Sequence, residues 1–196
     1  IDRLCQAIRR ARAGELELRA LDSREDIRRV FYPLHLRSLR RLGSPPHPLD
    51  YFIHNWENMA GRMRVLTAWS RGRPVGALLG WAVGRSVQIT DIASDERYFA
   101  LRAPDLLHFE MIDWAIGRGF RLFDFGPVRY EGQRRYKKKW GVEILPYAHY
   151  CYPARAGRAP LSDQTRMVRA VRSAWRRVPS VLAARLGRRL RRELAI

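Results

Sequence analysis

Three lysines stand side by side at positions 137–139, in RYKKKWG, and they are the only lysines in the 196-residue chain. Elsewhere the strong positive charge is arginine. The two side chains differ physically: a lysine ammonium is a compact point charge, whereas a guanidinium is a rigid planar fork. An ammonium can neutralise a phosphate, or an oxyanion developing on a carbonyl, in a space a guanidinium does not fit. The plain alternative is a solvated basic turn. Successive helical residues point about 100° apart, so the three cannot serve one site. Tyr136 and Trp140 lie four apart and share a face, which is expected to anchor the helix on the core. Gln133 and Lys137 share another face.

The elements that must position this run can be read from hydrophobic period and turn chemistry. Residues 2–12 (DRLCQAIRRAR) read as a basic helix and ELELRAL (15–21) as a short strand. Ser23 offers an N-cap, followed by acids, for a helix reaching about Arg41; Leu42-Gly43 and SPPHP end it. A second helix is expected from Leu49 to Ala60. MRVLTAWS (63–70), PVGALLGWAVG (74–84) and SVQITDIAS (86–94) read as an antiparallel meander. A helix follows over 105–119, with Leu107, Met111, Trp114 and Ala115 at helical spacing. FRLFDFG (120–126) is the next strand, then a short helix carrying the lysines, then a last strand VEILPYAHYCY (142–152). This order predicts an α/β (α+β layered) fold: a mixed, mostly antiparallel sheet flanked by helices, with a parallel crossover between 86 and 126.

Composition bounds the reading. The net charge is +19 and the sequence pI about 11.3, which favours polyanionic partners: nucleic acid, anionic lipid headgroups or phosphate-bearing substrates. Cys5 and Cys151 form no metal-ligand spacing with the five histidines, so no metal site is expected, and a reducing, cytoplasmic setting is. No apolar run approaches the ~20 residues of a membrane span. After Pro153 the chain carries twelve arginines against Asp163 and Glu193. Met167, Val171, Ala174 and Val178 form one apolar stripe; Leu182, Leu186, Leu190 and Leu194 form another. This basic helical tail (153–196) either packs on the domain, lies on an anionic membrane surface, or grips nucleic acid, tRNA included.

The block Leu106–Gly141 resembles the C-terminal half of the FemAB-like aminoacyl/acyltransferases, a branch of the GNAT superfamily. The resemblance rests on FDFG at 123–126 and YKKKWG at 136–141, which match a strand ending in (Y/F)DFG and a following (F/Y)K-x-x-(F/W)G. Upstream, FYPLHLRSLRRLG (31–43), GRPVGALL (72–79) and IASDERY (92–98) match further family segments in order, so the likeness spans about 15–152. It implies a GNAT-like fold, with an activated acyl donor bound where two strands of the sheet splay apart. It implies acyl or aminoacyl transfer to an amine or hydroxyl of a cell-envelope precursor or polysaccharide, with acyl-CoA or aminoacyl-tRNA as cosubstrate and no permanent cofactor. Residues 1–14 would then be a linker helix from a preceding half domain, and a homodimer could replace that half.

The resemblance assigns the donor/acceptor site to Lys137 and Tyr136, the strand aspartate to Asp124 and the helix arginine to Arg41. Lys137 would stabilise the tetrahedral oxyanion. Asp124 would orient the acceptor or assist proton removal, or else bond the N–H groups of the loop that follows it. Arg41 is a candidate to meet substrate phosphate, Arg135 is a further candidate substrate-binding residue, and Asp91 is a lesser candidate on the strand expected beside Asp124. No Q/R-x-x-G-x-G/A pyrophosphate loop is present. A binding module for RNA, DNA or an anionic membrane surface, and a non-catalytic half-domain remnant, are the competing functional classes.

Overall fold

In the computed structural model, residues 2–59, 61–148, 166–178 and 182 are described. Helix α1 (Asp2–Ala13) leads into strand β1 (Leu16–Ala20). Helix α2 follows in three continuous pieces: Arg24–Asp26, a widened π-helical stretch Ile27–Phe31, and Tyr32–Leu42. Ser23 caps it as expected, its Oγ accepting from the Asp26 N–H at 3.1 Å. Gly43, at φ 72°, ends it in the left-handed conformation that glycine tolerates best. Helix α3 (Leu49–Asn58), β2 (Met63–Ser70), β3 (Arg73–Val83) and β4 (Ser86–Ser94) come next. A 3-10 stretch, Glu96–Leu101, precedes α4 (Ala103–Gly117), β5 (Leu122–Asp124), α5 (Glu131–Lys138) and α6 (Arg166–Trp175).

The five strands form one sheet in the order β1-β2-β3-β4-β5, antiparallel through β4 and parallel between β4 and β5. This is the predicted mixed sheet with its parallel crossover through α4. Helices cover both faces. Ile27, Phe31 and Leu34 of α2 with Phe52 of α3 pack against Val65, Ala77, Leu79 and Ala93. On the other face Leu107, Met111 and Ala115 of α4, spaced four apart, meet Leu66, Leu78, Val87 and Ile89. Helix α1 adds a third layer, burying Ile8 and Ala11 against Leu106.

A bulge changes which way β4 faces. Gly80 pairs with Ile89 but Leu79 pairs with Asp91, leaving Thr90 as the extra residue. Strict alternation would put 87, 89, 91 and 93 on one face. Instead Val87 and Ile89 face α4, while Ala93 packs with α2 and Asp91 reaches a side chain of α2.

Two sequence expectations are corrected. The strand of 120–126 contracts to Leu122–Asp124, because Gly126 turns the chain away. Residues 142–148 form no strand. Pro146 removes a backbone donor from the middle of that segment, and a three-residue β5 offers little edge to pair with. The rest of the expected strand lies outside the described residues, as does most of the basic tail. Within the tail, α6 is seated on the domain: Trp175 is buried, and Arg40 Nε donates to the Arg176 carbonyl at 3.3 Å. No helix among the described residues is long and apolar enough to cross a membrane.

Candidate active site

The β4–β5 ladder is short. Only Ser86–Gln88 pair with Leu122–Asp124, although β4 runs on to Ser94. The paired ladder ends at Gln88 and Asp124. Gly126, just past β5, still lies against β4: its φ is +73°, and a Cβ there would sit 2.6 Å from the Ile89 carbonyl oxygen. Both facts demand glycine, one through backbone sterics and the other through close approach of two chains. Asp124 shapes the turn. Its Oδ1 accepts from the Gly126 N–H at 2.7 Å and its Oδ2 from Gln88 Nε2 at 3.0 Å. One carboxylate thus ties the end of β5 both to its own loop and across to β4.

Helix α5 closes this corner. Lys137 is buried, and its Nζ donates to the Gly126 carbonyl at 2.6 Å and to the Pro127 carbonyl at 2.8 Å. Burial pushes its pKa below the ordinary lysine value, and the Asp124 carboxylate works in the opposite direction. An ammonium has three N–H groups, so two are committed to the loop and one is not, among the described residues. The neighbouring lysines are in different settings. Lys138 is exposed. Lys139 forms an ion pair with the buried carboxylate of Asp105 on α4 and lies over the Tyr136 ring, 4.0 Å from its centroid.

The Tyr136 hydroxyl donates to the Pro104 carbonyl at 3.1 Å and lies 2.9 Å from Nδ1 of His108. The same carbonyl, which can only accept, is 2.9 Å from Nδ1, so Nδ1 is the protonated ring nitrogen. Burial lowers the His108 pKa to about 4, leaving the imidazole neutral at ordinary pH. The ring stacks on Phe125 at 5.1 Å and 6°. Burial likewise raises the Tyr136 pKa, which keeps the phenol protonated. Tyr136 and His108 therefore rivet α5 to the first turns of α4.

Sequence reasoning placed Lys137, Tyr136 and Asp124 in one region, and the structure brings them around one loop. Arg135 lies one helical step away, exposed on α5. Arg41 is elsewhere: it sits at the end of α2, 3.4 Å from Glu96, with its guanidinium over Phe99. Asp91 also stands apart from Asp124. The bulge turns it toward α2, where its Oδ1 is 3.3 Å from Nδ1 of His35. Burial raises the Asp91 pKa, but hydrogen bonds from His35 and Thr90 and the nearby His47 outweigh it and hold the carboxyl below its ordinary value. His35 itself is a polar residue the sequence did not single out. It is buried among Phe31, Tyr32 and Phe52, and its Nε2 has no hydrogen-bond partner among the described residues. Its signal was a lone histidine inside an aromatic, apolar stretch, which reads equally well as core.

A family model for the acetyltransferase (GNAT) domain matches residues 2–138. Among solved structures, FemX superposes with a TM-score of 0.63 at 13% identity, covering 71% of this chain and 53% of that one. The ribosomal-protein-alanine N-acetyltransferase from Brucella melitensis biovar Abortus 2308 gives 0.55 at 16% identity, covering 70% of this chain and 98% of that one. Glucosamine-6-phosphate N-acetyltransferase from Arabidopsis thaliana gives 0.54 at 14% identity, covering 71% and 99%. At these identities the likeness shows the fold. The chain spans about half the length of FemX. No curated protein matches its sequence.

Proposed function

The chain belongs to the GNAT acetyltransferase-domain family, and from that premise we propose that it transfers an acyl group from an activated donor in the β4/β5 opening to an amine. The supporting observation is the Lys137 ammonium, buried and held by the Gly126 and Pro127 carbonyls just past the end of β5. In the reaction the acceptor nitrogen attacks the donor's acyl carbon. A C–N bond forms, the bond to the donor's sulfur or oxygen breaks, the leaving atom takes a proton and the amine loses one. Negative charge gathers on the carbonyl oxygen in between. The N–H of Lys137 not used by the loop is the group that meets it, in a site where burial strengthens the interaction.

Asp124 is a positioning residue in this reading, since both its oxygens accept hydrogen bonds from Gln88 and Gly126. It holds the loop and offsets the positive charge of Lys137. Tyr136 acts through the placement of α5. The acceptor is an amine of a cell-envelope precursor, and the donor an acyl-CoA in preference to an aminoacyl-tRNA; the resemblance of FDFG and YKKKWG to the FemAB-like family supports the first, and the family match supports the second.

Mass spectrometry of the chain with acetyl-CoA, with aminoacyl-tRNA, and with amine acceptors is the test. Acyl transfer from acetyl-CoA that Lys137→Met abolishes is expected. Transfer that persists undiminished in that variant would remove Lys137 from the site.

A further inference from the structure

The ends of β3 and α4 and the start of β5 meet at one end of the sheet. The Arg121 and Leu122 N–H groups both donate to the Arg85 carbonyl, at 2.8 and 3.2 Å, which ties the β3–β4 turn to the α4–β5 turn. Ser86 pairs with Val83 on one side and with Leu122 on the other, so these two side chains stand in one row on one face. Val83 is 54% exposed and Leu122 59%; Ile116, in the last turn of α4, is 69% exposed. Three aliphatic side chains thus meet solvent at the same end of the molecule.

The charge around them is one-sided. Arg85, Arg118 and Arg121 are exposed in the same two turns, and residues 82–87 and 116–122 contain no acid. The flanking acids are Asp113, on the preceding turn of α4, and Asp124, which Gln88 and Gly126 engage. None of the three arginines forms an ion pair among the described residues. By contrast, the exposed Arg12, Arg24 and Arg71 are each set against a glutamate. Arg64 stands behind the turns, its guanidinium 4.5 Å from the centroid of the Trp114 ring. Burial, and then the charge of Arg118, lowers its pKa, against a smaller opposite effect of Asp22. Cations at this end therefore repel one another and gain from a surface of opposite sign.

Aliphatic tips among arginines suit the boundary of an anionic bilayer, where hydrocarbon takes the tips and headgroup phosphates take the guanidiniums. Nucleic acid would attract the same charge, but single strands are gripped through aromatic rings that stack on bases. Phe120, the aromatic residue between Arg118 and Arg121, is turned inward against Trp114. Lipid is the better match.

We propose that this end of the sheet, with Val83, Ile116 and Leu122 beside Arg85, Arg118 and Arg121, is a docking surface for an anionic lipid bilayer. It is distinct from the basic tail, and it does not rest on the transferase reading.

The experiment sediments the full chain with vesicles of phosphatidylcholine and phosphatidylglycerol in equal parts, and with phosphatidylcholine alone. The variants are Ile116→Ser/Leu122→Ser, Arg85→Ser/Arg121→Ser and, as a control of equal charge on α1, Arg9→Ser/Arg10→Ser. A basic residue at an anionic surface is worth roughly fivefold in binding. Binding to the anionic vesicles is expected to weaken about tenfold or more in each of the first two pairs and less than about threefold in the control. Val83→Ser, at an exposed position in the same row, repeats the aliphatic test should Leu122→Ser lower the melting temperature. Binding that the aliphatic variants leave unchanged, equal weakening by the two arginine pairs, or no preference for anionic vesicles overturns the proposal. So does a chain in which the Arg85/Arg121 pair loses affinity for transfer RNA while vesicle binding is kept, since the surface would then belong to nucleic acid.

Discussion

The ammonium of Lys137 lies 2.6 Å from the carbonyl oxygen of Gly126, two residues past the end of β5. One side chain on α5 therefore fastens the loop that follows β5. A residue in that place is at once a fastening and a charge, and the two contributions can be separated by substitution.

Lys137→Met should destabilise the fold by about 1–3 kcal/mol, since two carbonyls lose a charged donor. It should also reduce acyl transfer by roughly a hundredfold or more. Lys137→Arg keeps the charge but brings a planar fork into a space occupied by an ammonium, and should restore neither quantity fully. Thermal melts with initial rates distinguish the cases; an arginine variant as fast as the parent would show that charge alone is needed.

The adjacent lysines should answer differently. Lys139→Met removes the near cation of the buried Asp105 carboxylate, leaving Arg102 at 3.8 Å, and should cost roughly 3 kcal/mol. Lys138→Met, at an exposed position, should change stability by less than about 0.5 kcal/mol. Denaturant titration of the pair checks this, and similar midpoints for the two variants would contradict the arrangement of α5.

Gly126→Ala should be among the most damaging single changes. The new methyl would sit 2.6 Å from the Ile89 carbonyl oxygen, and the backbone would still need a φ of +73°. Strain at such a site is on the order of 1–3 kcal/mol, before any shift of β4. A variant with parental stability and activity would mean that the loop does not cross Ile89 so closely.

Acid should loosen the contact between α4 and α5. His108 has a folded pKa of about 4 against an ordinary 6.5, with Asp105, Lys137, Lys139 and Tyr136 as its polar neighbours. Between those values the unfolded chain takes up a proton that the folded chain does not. Stability from this group is thus complete above pH 6.5 and is lost as pH falls toward 4, by roughly 3 kcal/mol in all. His108→Asn keeps a donor near Nδ1 and cannot titrate, so its melting temperature should fall less steeply over that interval. Parallel slopes for parent and variant would count against a buried neutral imidazole.

Much of the frame was legible because its signals are local. Ser23 and Gly43 bound α2 through their own backbone and side-chain chemistry, and the four-residue spacing of Leu107, Met111 and Ala115 reports the face of α4 that is buried. The i, i+4 spacing of Tyr136 and Trp140 likewise marked the inner face of α5. The run by itself did not say which lysine is enclosed; the resemblance singled out Lys137, and its burial follows from how α5 docks on the loop at Gly126. The Asp91–His35 pair was hidden by the Thr90 bulge, which reverses the facing that strict alternation assigns to Asp91. The last expected strand misled because 142–152 has the apolar content of a strand, while Pro146 withholds a donor in its middle.

The confinement of every lysine to the last turn of α5 and its C-cap has a practical outcome. Side-chain attachment through amine-reactive chemistry falls on a single helix, and within it Lys138 is the accessible nitrogen, Lys137 the enclosed one and Lys139 the one occupied by a carboxylate. Coupling to a surface or a fluorophore would therefore orient the molecule in one way, with α5 turned toward the support.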